Sequence, residues 1–170
     1  MRTEIFWIAG PWPGELAILP RPRGGDWLED EVKAWRLAGI ETMVSLLTSD
    51  EVTDLGLGEE AALCQANGIN FVSFPIVDRG VPATRKITLE LIKKLHKILV
   101  RGGSVGIHCR QSIGRSSLIA ISLLVISGIE PQTATERVAA SRGCAVPETP
   151  EQRQWVGDFT QVLRTVPTGE

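Results

Sequence analysis

The chain has 170 residues, of which 43% are hydrophobic and 22% charged, and its formal net charge is −2. These values are typical of a globular protein that buries its own core, so we expect a single domain over residues 1–170. A mildly acidic balance gives no support to a function on nucleic acids or on a membrane surface.

The cysteine content and the apolar runs indicate a reducing, cytoplasmic location. Cys64, Cys109 and Cys144 are widely spaced and odd in number, which is typical neither of a metal site nor of a disulfide framework. The longest apolar run, Leu118–Ile126, is too short to span a bilayer, and the segment 1–11 lacks the apolar core of a signal peptide. We therefore expect no membrane association.

In the first half of the chain, apolar runs bounded by Gly and Pro predict strands, and helical spacing predicts helices. Asp26 and Glu29 have the spacing of a capping box at the start of the first helix. The predicted elements are strands at Ile5–Ile8 and Leu16–Leu19, a helix over 27–38, a strand over 42–47, a short helical turn from Thr48 and a helix over 58–67.

The second half continues the alternation. A strand over 69–76 leads into the loop 77–82, a helix runs from Thr84 to about Val100, and a buried strand covers 104–107. Further helices are predicted over 117–126, 131–141 and 150–164. This order predicts an α/β domain with a mostly parallel sheet of four to five strands flanked by helices, and such sheets bind ligands beyond the carboxyl ends of their strands.

The segment 108–116, HCRQSIGRS, lies between the buried strand and the buried helix. Loop N–H groups and the positive end of a helix dipole then converge on one point, which suits an anion. A cysteine at the mouth of such a loop is favoured as the thiolate, so Cys109 is the candidate nucleophile. Arg115 can bind two oxygens of a tetrahedral anion through its planar guanidinium. A phosphate ester attacked by sulfur, giving a phosphocysteine, is the chemistry that these residues favour.

The other residues of the segment have candidate supporting roles. Ser116 can donate to the sulfur as it departs, although a serine at a helix N-terminus often only satisfies backbone donors. His108 is expected to orient the loop, with an ordinary buried histidine as the alternative. Gly114 allows a backbone conformation that a side chain would obstruct. The predicted substrate-binding residues are Arg110, Gln111, Ser112, Ile113, Gly114 and Arg115.

The leaving oxygen needs a proton, and Asp78 is the candidate general acid. It follows a predicted strand and lies in a loop, upstream of Cys109. A carboxylic acid there could protonate the leaving oxygen and then accept a proton from the attacking water. An Asp near Gly and Pro is otherwise a turn former.

Basic residues cluster in the sequence near the motif and predict a positively charged entrance to the site. The alternative for Arg85, Lys86 and Arg101 is that they are solvated side chains at the ends of helices. The cluster comprises Arg79, Arg85, Lys86, Arg101, Arg110 and Arg115.

These residues resemble the cysteine-based protein tyrosine phosphatase superfamily, in which His-Cys is followed by five residues and Arg-Ser. The segment 74–82, FPIVDRGVP, is most similar to the small dual-specificity branch, and the resemblance covers about 27–156. It implies a nucleophilic Cys109, a phosphate-binding Arg115, a general acid in Asp78 and a Ser116 that assists departure of the sulfur. The segment 149–156 is similar to members with a Gln near the site, which implies that Gln152 can position water.

The resemblance implies a monomeric enzyme without metal or organic cofactor that acts on phosphorylated proteins or peptides. Phosphotyrosine is the expected substrate, with phosphoserine and phosphothreonine next. Many members carry Gly where this chain has Ser112, which puts the shape of the loop in question. Phosphoinositide and RNA-triphosphate phosphatases are alternatives, but the loop lacks the second basic residue that a polyphosphorylated ligand would favour.

Three other classes compete with this interpretation. A sulfurtransferase would carry a persulfide on Cys109 and would not need Asp78. A low-molecular-weight phosphatase or arsenate reductase places its Cys near the start of the chain, unlike Cys109. A non-catalytic phosphoprotein-binding module commonly lacks the Cys, the Arg or the acid, and all three are present here.

Overall fold

A five-stranded sheet forms the centre of the computed structural model, which describes residues 4–165. Its strands lie in the order β1-β2-β5-β3-β4. β1 is antiparallel to β2 and the other neighbouring pairs are parallel, which confirms the predicted single α/β domain with a mostly parallel sheet. The strands are β1 (Phe6–Ile8), β2 (Glu15–Leu19), β3 (Thr42–Ser45), β4 (Asn70–Ser73) and β5 (Ser104–His108).

Helices cover both faces of the sheet, and each face has its own apolar cluster. One cluster includes residues of α1 and α3, and the other includes residues of α4, α5, α6 and α7. The helices are α1 (Leu28–Leu37), α2 (Ser49–Asp54), α3 (Glu60–Ala66), α4 (Arg85–Val100), α5 (Arg115–Ile126), α6 (Pro131–Arg142) and α7 (Pro150–Arg164).

The alternation of side chains along β5 divides its residues between the two faces. Val105 and Ile107 join the cluster of α4–α7. Gly106 faces the other layer, where an added Cβ would lie 2.8 Å from a Leu19 methyl and 3.0 Å from the Met43 methyl. A glycine at this point leaves room for the side chains of Leu19 and Met43 from the neighbouring strands β2 and β3.

Some element ends differ from the prediction. β3 and β4 are shorter than the predicted strands, although the Leu46 N–H still donates to the His108 carbonyl at 3.0 Å. Beyond β4, the N–H groups of Phe74 and Ile76 still donate to the carbonyls of Ser45 and Leu46, at 2.9 and 3.0 Å, so the chain stays beside β3 past the end of the regular strand. The predicted capping box is wrong, because Asp26 lies inside a 3₁₀ turn over Gly25–Trp27 and Trp27 precedes α1.

Within residues 4–165, no helix is both long enough and apolar enough to cross a membrane.

Candidate active site

The Cys109 loop (residues 109–114) connects β5 to α5 at the carboxyl end of the central strands. β5 lies between β2 and β3, so the loop is surrounded by the ends of neighbouring strands. α5 begins at Arg115, two residues earlier than predicted, and its first N–H groups therefore face the loop. The structure thus contains the strand, loop and helix start from which the sequence analysis predicts an anion-binding loop.

Cys109 lies on the floor of this loop rather than at its mouth. The residue is 2% exposed, and its Sγ accepts a hydrogen bond from the Ser112 N–H at 3.1 Å. The expectation of a cysteine at the mouth is therefore wrong, because Cys109 is buried in the apolar cluster that includes residues of α4–α7.

Ser112 occupies the turn of the loop in a left-handed conformation, with φ of 62°. Such a φ favours Gly, which explains why a glycine is common at this position. Here the serine is anchored on two sides: its Oγ donates to the Leu19 carbonyl, and its carbonyl accepts from Arg142 Nε at 2.6 Å. Arg142 also stacks 4.0 Å above the ring of Phe6. The loop thus keeps its turn with serine, through contacts from α6 and β2 that sequence analysis missed.

The Arg115 guanidinium is buried and held by a carboxylate that sequence analysis missed. Nη1 lies 2.7 Å from Glu51 Oε1, and Nη2 lies 2.9 Å from Glu51 Oε2. Nη1 also donates to the carbonyls of Ile76 at 2.7 Å and Leu46 at 3.3 Å. Planar, two-point pairing of this kind fixes the orientation of the guanidinium.

Thr48 and Glu51 form a capping box at the start of α2. The Thr48 N–H donates to Glu51 Oε1 at 3.1 Å, and the Glu51 N–H donates to Thr48 Oγ1 at 3.4 Å. The spacing Thr-x-x-Glu is visible in the sequence and could have marked Glu51 as a fixed carboxylate. It could not have shown which cation that carboxylate meets.

The pairing shifts both ionisation equilibria toward the charged forms. Burial tends to raise the pKa of Glu51, but hydrogen bonds from Arg115 and Thr48 and the Arg115 charge bring it below its ordinary 4.5. Burial tends to lower the pKa of Arg115, but Glu51, Cys109 and Asp78 together raise it above its ordinary value. The site therefore keeps a permanent cation beside Cys109.

Asp78 is placed next to that cation. Its Oδ1 lies 3.2 Å from Arg115 Nη2, and its side chain is 55% exposed. It belongs to the Asp78 loop (residues 77–82), in which Arg79 has a φ of 63° and the Gly80 N–H donates to the Val77 carbonyl at 2.8 Å. The fold thus brings Cys109, Arg115 and Asp78 together.

Gln152 lies at the start of α7 and is completely buried. Its Oε1 accepts from the N–H groups of Glu148 and Thr149, each at 3.1 Å, and its Nε2 donates to the Gly80 carbonyl at 3.0 Å. A Cβ at Gly114 would lie 2.7 Å from Gln152 Oε1. Through these contacts, Gln152 connects α7 to the Asp78 loop and packs against the Cys109 loop. The implied role of Gln152 in positioning water stays a prediction.

The remaining predicted residues differ in exposure. Arg110 and Gln111 are exposed, and Ile113 is half-buried against the core. Ser116 is buried, and its Oγ makes no hydrogen bond within residues 4–165, so the predicted bond to sulfur is not formed in this state. His108 is the last residue of β5 and is fully buried, with Nε2 2.6 Å from Glu60 Oε2.

The predicted positively charged entrance is only partly correct. Arg101 caps the far end of α4, three residues before β5 begins, so it lies at the opposite end of the sheet. Arg79 is paired with Glu148 at the surface. Arg85 and Lys86 are exposed at the start of α4. The helix predicted from Thr84 to Val100 already separates Arg85 and Lys86 from Arg101, because the ends of a sixteen-residue helix lie about 24 Å apart.

Among the residues that the structure describes, no group of three His, Cys, Asp or Glu side chains could hold a metal ion.

Comparison with known proteins identifies the family. Residues 19–129 match the family model described as "Tc-R-P: Polymorphic toxin system, DSP-PTPase phosphatase". The chain belongs to this family. The match confirms the predicted resemblance to a small dual-specificity-like phosphatase, and it covers β5, the Cys109 loop and α5.

Curated relatives of this DSP-PTPase family member include a dual specificity protein phosphatase and a cyclin-dependent kinase inhibitor. Dual specificity protein phosphatase 22 from Homo sapiens is 27% identical over 109 residues, covering 64% of this chain and 59% of the relative. Cyclin-dependent kinase inhibitor 3 from Mus musculus is 29% identical over 135 residues, covering 79% and 62%. The chain thus spans about three fifths of the length of these relatives.

Solved structures of phosphatases share the fold. A kinase associated phosphatase (KAP) whose catalytic-site cysteine is replaced by serine superposes with a TM-score of 0.86 at 21% identity, covering 98% of this chain and 99% of the other. PTPMT1 in complex with PI(5)P gives a TM-score of 0.75 at 17% identity, covering 93% and 97%. At this level of identity, the likeness establishes the fold of the DSP-PTPase domain.

Proposed function

We propose that the protein is a phosphatase that hydrolyses phosphate monoesters through a phosphocysteine intermediate. The observation that carries the proposal is the convergence of three groups: Cys109 Sγ on the loop floor, the buried Arg115 guanidinium, and the Asp78 carboxylate 3.2 Å from that guanidinium. A nucleophile, a cation for the phosphoryl oxygens and a candidate proton donor are the parts that this reaction needs.

In the first step, the Cys109 thiolate attacks phosphorus and an S–P bond forms. The P–O bond to the leaving group breaks, and the acid form of Asp78 donates its proton to the departing oxygen. Loop N–H groups from Arg110 to Arg115 and the Arg115 guanidinium stabilise the charge on the three equatorial oxygens.

In the second step, water attacks phosphorus, Asp78 accepts its proton and the S–P bond breaks to release inorganic phosphate. Ser116 can assist this step, because its buried hydroxyl has no partner within residues 4–165 and is free to donate to the departing sulfur. The contact between Arg115 Nη2 and Asp78 is the one that a bound phosphate would replace, since the Glu51 pairing holds the guanidinium from the other side.

For the substrate class, we propose phosphorylated proteins or peptides, with phosphotyrosine preferred and phosphoserine and phosphothreonine as further substrates. Support comes from the family and from the names of its relatives. Arg110 is the one basic side chain among residues 110–114, which argues against a polyphosphorylated ligand. Cytoplasmic location, a monomeric state and independence from cofactors stay predictions from the sequence.

The test compares the wild-type protein with Cys109→Ser on p-nitrophenyl phosphate and on a panel of phosphopeptides, phosphoinositides and nucleotides. We expect Cys109→Ser to lose at least about 10³-fold in kcat, because an alcohol is far less nucleophilic than a thiolate. Quenching the wild-type reaction in acid should trap phosphate on Cys109, detected by mass spectrometry of the peptide.

The matched control is Cys144→Ser, which removes an exposed cysteine and should leave the rate unchanged. A second arm with thiosulfate and cyanide tests the sulfurtransferase alternative. Full activity in Cys109→Ser, or thiocyanate formation without phosphate ester hydrolysis, would contradict the proposal.

A further inference from the structure

His108 and Glu60 form a buried pair below the Cys109 loop. Nε2 of His108 lies 2.6 Å from Oε2 of Glu60, and the two side chains are 0% and 2% exposed. A carboxylate so deeply buried is strongly destabilising unless it accepts a hydrogen bond, and the short distance is typical of a charge-assisted one. The pair therefore constrains both side chains.

The backbone places this pair directly behind the candidate nucleophile. His108 ends β5, where it pairs with Leu19 of β2 and Ser45 of β3, and the next residue is Cys109. Glu60 is the first residue of α3, in the helical layer on the opposite side of the sheet from α5. The Glu60 hydrogen bond thus connects α3 to the peptide that carries the sulfur.

Few other contacts hold the imidazole ring of His108 in place. The Trp35 ring packs against it, with centroids 6.0 Å apart, and His108 Nδ1 has no hydrogen-bond partner within residues 4–165. Cys109 follows His108 in the chain, and burial together with the Glu60 charge raises the pKa of Cys64 to about 12. Cys64 is consequently a neutral thiol, and within residues 4–165 the hydrogen bond that holds the imidazole is the one to Glu60.

We propose that Glu60 is a positioning residue of the phosphatase site, which fixes His108 through Nε2 and thereby fixes the Cys109 Sγ within its loop. The inference deepens the proposed function and depends on it for its kinetic consequences. It requires that Nε2 of His108 carries a proton, since a carboxylate accepts and cannot donate.

Two variants separate the hydrogen bond from the mere filling of space. Glu60→Met keeps a side chain of similar length but removes the acceptor, whereas Glu60→Gln keeps an acceptor oxygen. The exposed neighbour Glu59→Gln is the matched control. The readouts are kcat and KM on p-nitrophenyl phosphate, and the pH profile of Cys109 alkylation by iodoacetate, followed by mass spectrometry of the Cys109 peptide. Alkylation needs no turnover, so it tests the inference even if phosphatase activity is absent.

For Glu60→Met, we expect both kcat and the alkylation rate near neutral pH to fall at least about tenfold, with KM changed by less than about threefold. Glu60→Gln should recover most of the loss, and Glu59→Gln should behave as wild type. In a His108→Asn background, Glu60→Met should add little, because the partner through which it acts is gone. Wild-type kinetics and alkylation in a folded Glu60→Met, or losses that multiply in the double variant, would overturn the inference.

A measurement on the wild-type protein covers the case in which Glu60→Met does not fold. The chain has two histidines, so ¹⁵N-histidine labelling gives a spectrum that can be assigned with His96→Gln. We expect a slowly exchanging proton on Nε2 of His108 at neutral pH, and rapid exchange for His96. A His108 ring protonated on Nδ1 alone could not donate to Glu60, and that result would refute the proposal.

Discussion

At the scale of single residues, Ser112 shows how the Cys109 loop keeps its shape with a side chain where a glycine is common. Its φ of 62° is unfavourable for an L-residue, but its Oγ bonds to the Leu19 carbonyl and its own carbonyl accepts from Arg142. The conformational strain is thus offset by hydrogen bonds that a glycine could make only in part.

Two substitutions of Ser112 should therefore differ in a defined order. Ser112→Ala loses the Oγ bond and keeps the strain, and we expect the free energy of unfolding to fall by about 1–3 kcal/mol. Ser112→Gly loses the same bond but relieves the strain, so its free energy of unfolding should fall by about 1 kcal/mol less than that of Ser112→Ala. Urea unfolding measures both.

Ser117→Ala is the control for this series, because Ser117 is equally buried and its Oγ has no partner within residues 4–165. Its stability should stay close to that of the wild type. If Ser112→Gly were less stable than Ser112→Ala, the backbone strain would not be the deciding term.

Asp78 allows a second prediction at this scale. In Asp78→Asn the amide oxygen can still meet Arg115 Nη2, but no proton is available for the leaving oxygen. With phenyl phosphate, whose leaving group is poor, we expect kcat to fall by about 10²–10⁴-fold with little change in KM. With p-nitrophenyl phosphate, kcat should fall less, because its leaving group depends less on protonation.

The control for this prediction is Asp54→Asn, an exposed acid at the end of α2, which should leave both rates unchanged. Equal losses on the two aryl phosphates would exclude Asp78 as the general acid.

At the scale of elements, the short helix α2 fixes the guanidinium of Arg115, the proposed phosphate-binding residue. The Thr48 capping box orients Glu51, and Glu51 in turn holds both terminal nitrogens of Arg115 at the start of α5. A helix of six residues has little stability of its own, so this pairing stabilises α2 as well as the site. Removing one partner of a buried pair leaves an uncompensated charge.

This pairing predicts a dependence of stability on pH. The pKa of Glu51 is lowered in the folded protein, so its contribution is fully present above its ordinary 4.5 and is lost as the pH falls through the lower folded value. Glu51→Gln should therefore be less stable than wild type by about 3–5 kcal/mol near pH 7. The difference should shrink steadily below about pH 4.5 in urea unfolding measured across pH.

Glu29→Gln serves as the reference, since Glu29 forms an exposed pair with Lys33 and its loss should change stability by less than about 1 kcal/mol at any pH. A constant difference between Glu51→Gln and wild type from pH 7 to pH 3 would show that the Glu51 charge is not the stabilising group.

At the scale of the whole molecule, the strand order places β5 at the centre of the sheet, so the loop that follows it is reached from both layers. Arg142 bonds to the loop from α6, and Gln152 lies against Gly114 from α7, whereas Glu51 and Glu60 hold the flanking residues Arg115 and His108 from α2 and α3. Residues far apart in sequence thus fix the loop and its two ends, and the site depends on both layers being packed.

The sequence by itself determined the class of fold and the identity of the loop. Strand and helix periodicities are local properties of the chain, and the long helices α4 and α7 were predicted with their bounds nearly unchanged. The spacing between Cys109 and Arg115 is also local, because a tight loop between a strand and a helix brings them together whatever the remaining fold does.

Only the tertiary structure decided which groups surround that loop. Glu51, Glu60 and Arg142 carry no sequence signal that names their partners, since a charged residue on a helix is usually solvated. Arg101 is a different case, because the predicted helix from Thr84 to Val100 already places it at the far end from Arg85 and Lys86, and its place in the basic cluster was therefore wrong. Contacts between residues distant in the chain depend on the packing of both helical layers against the sheet, and that packing is not encoded in any single segment.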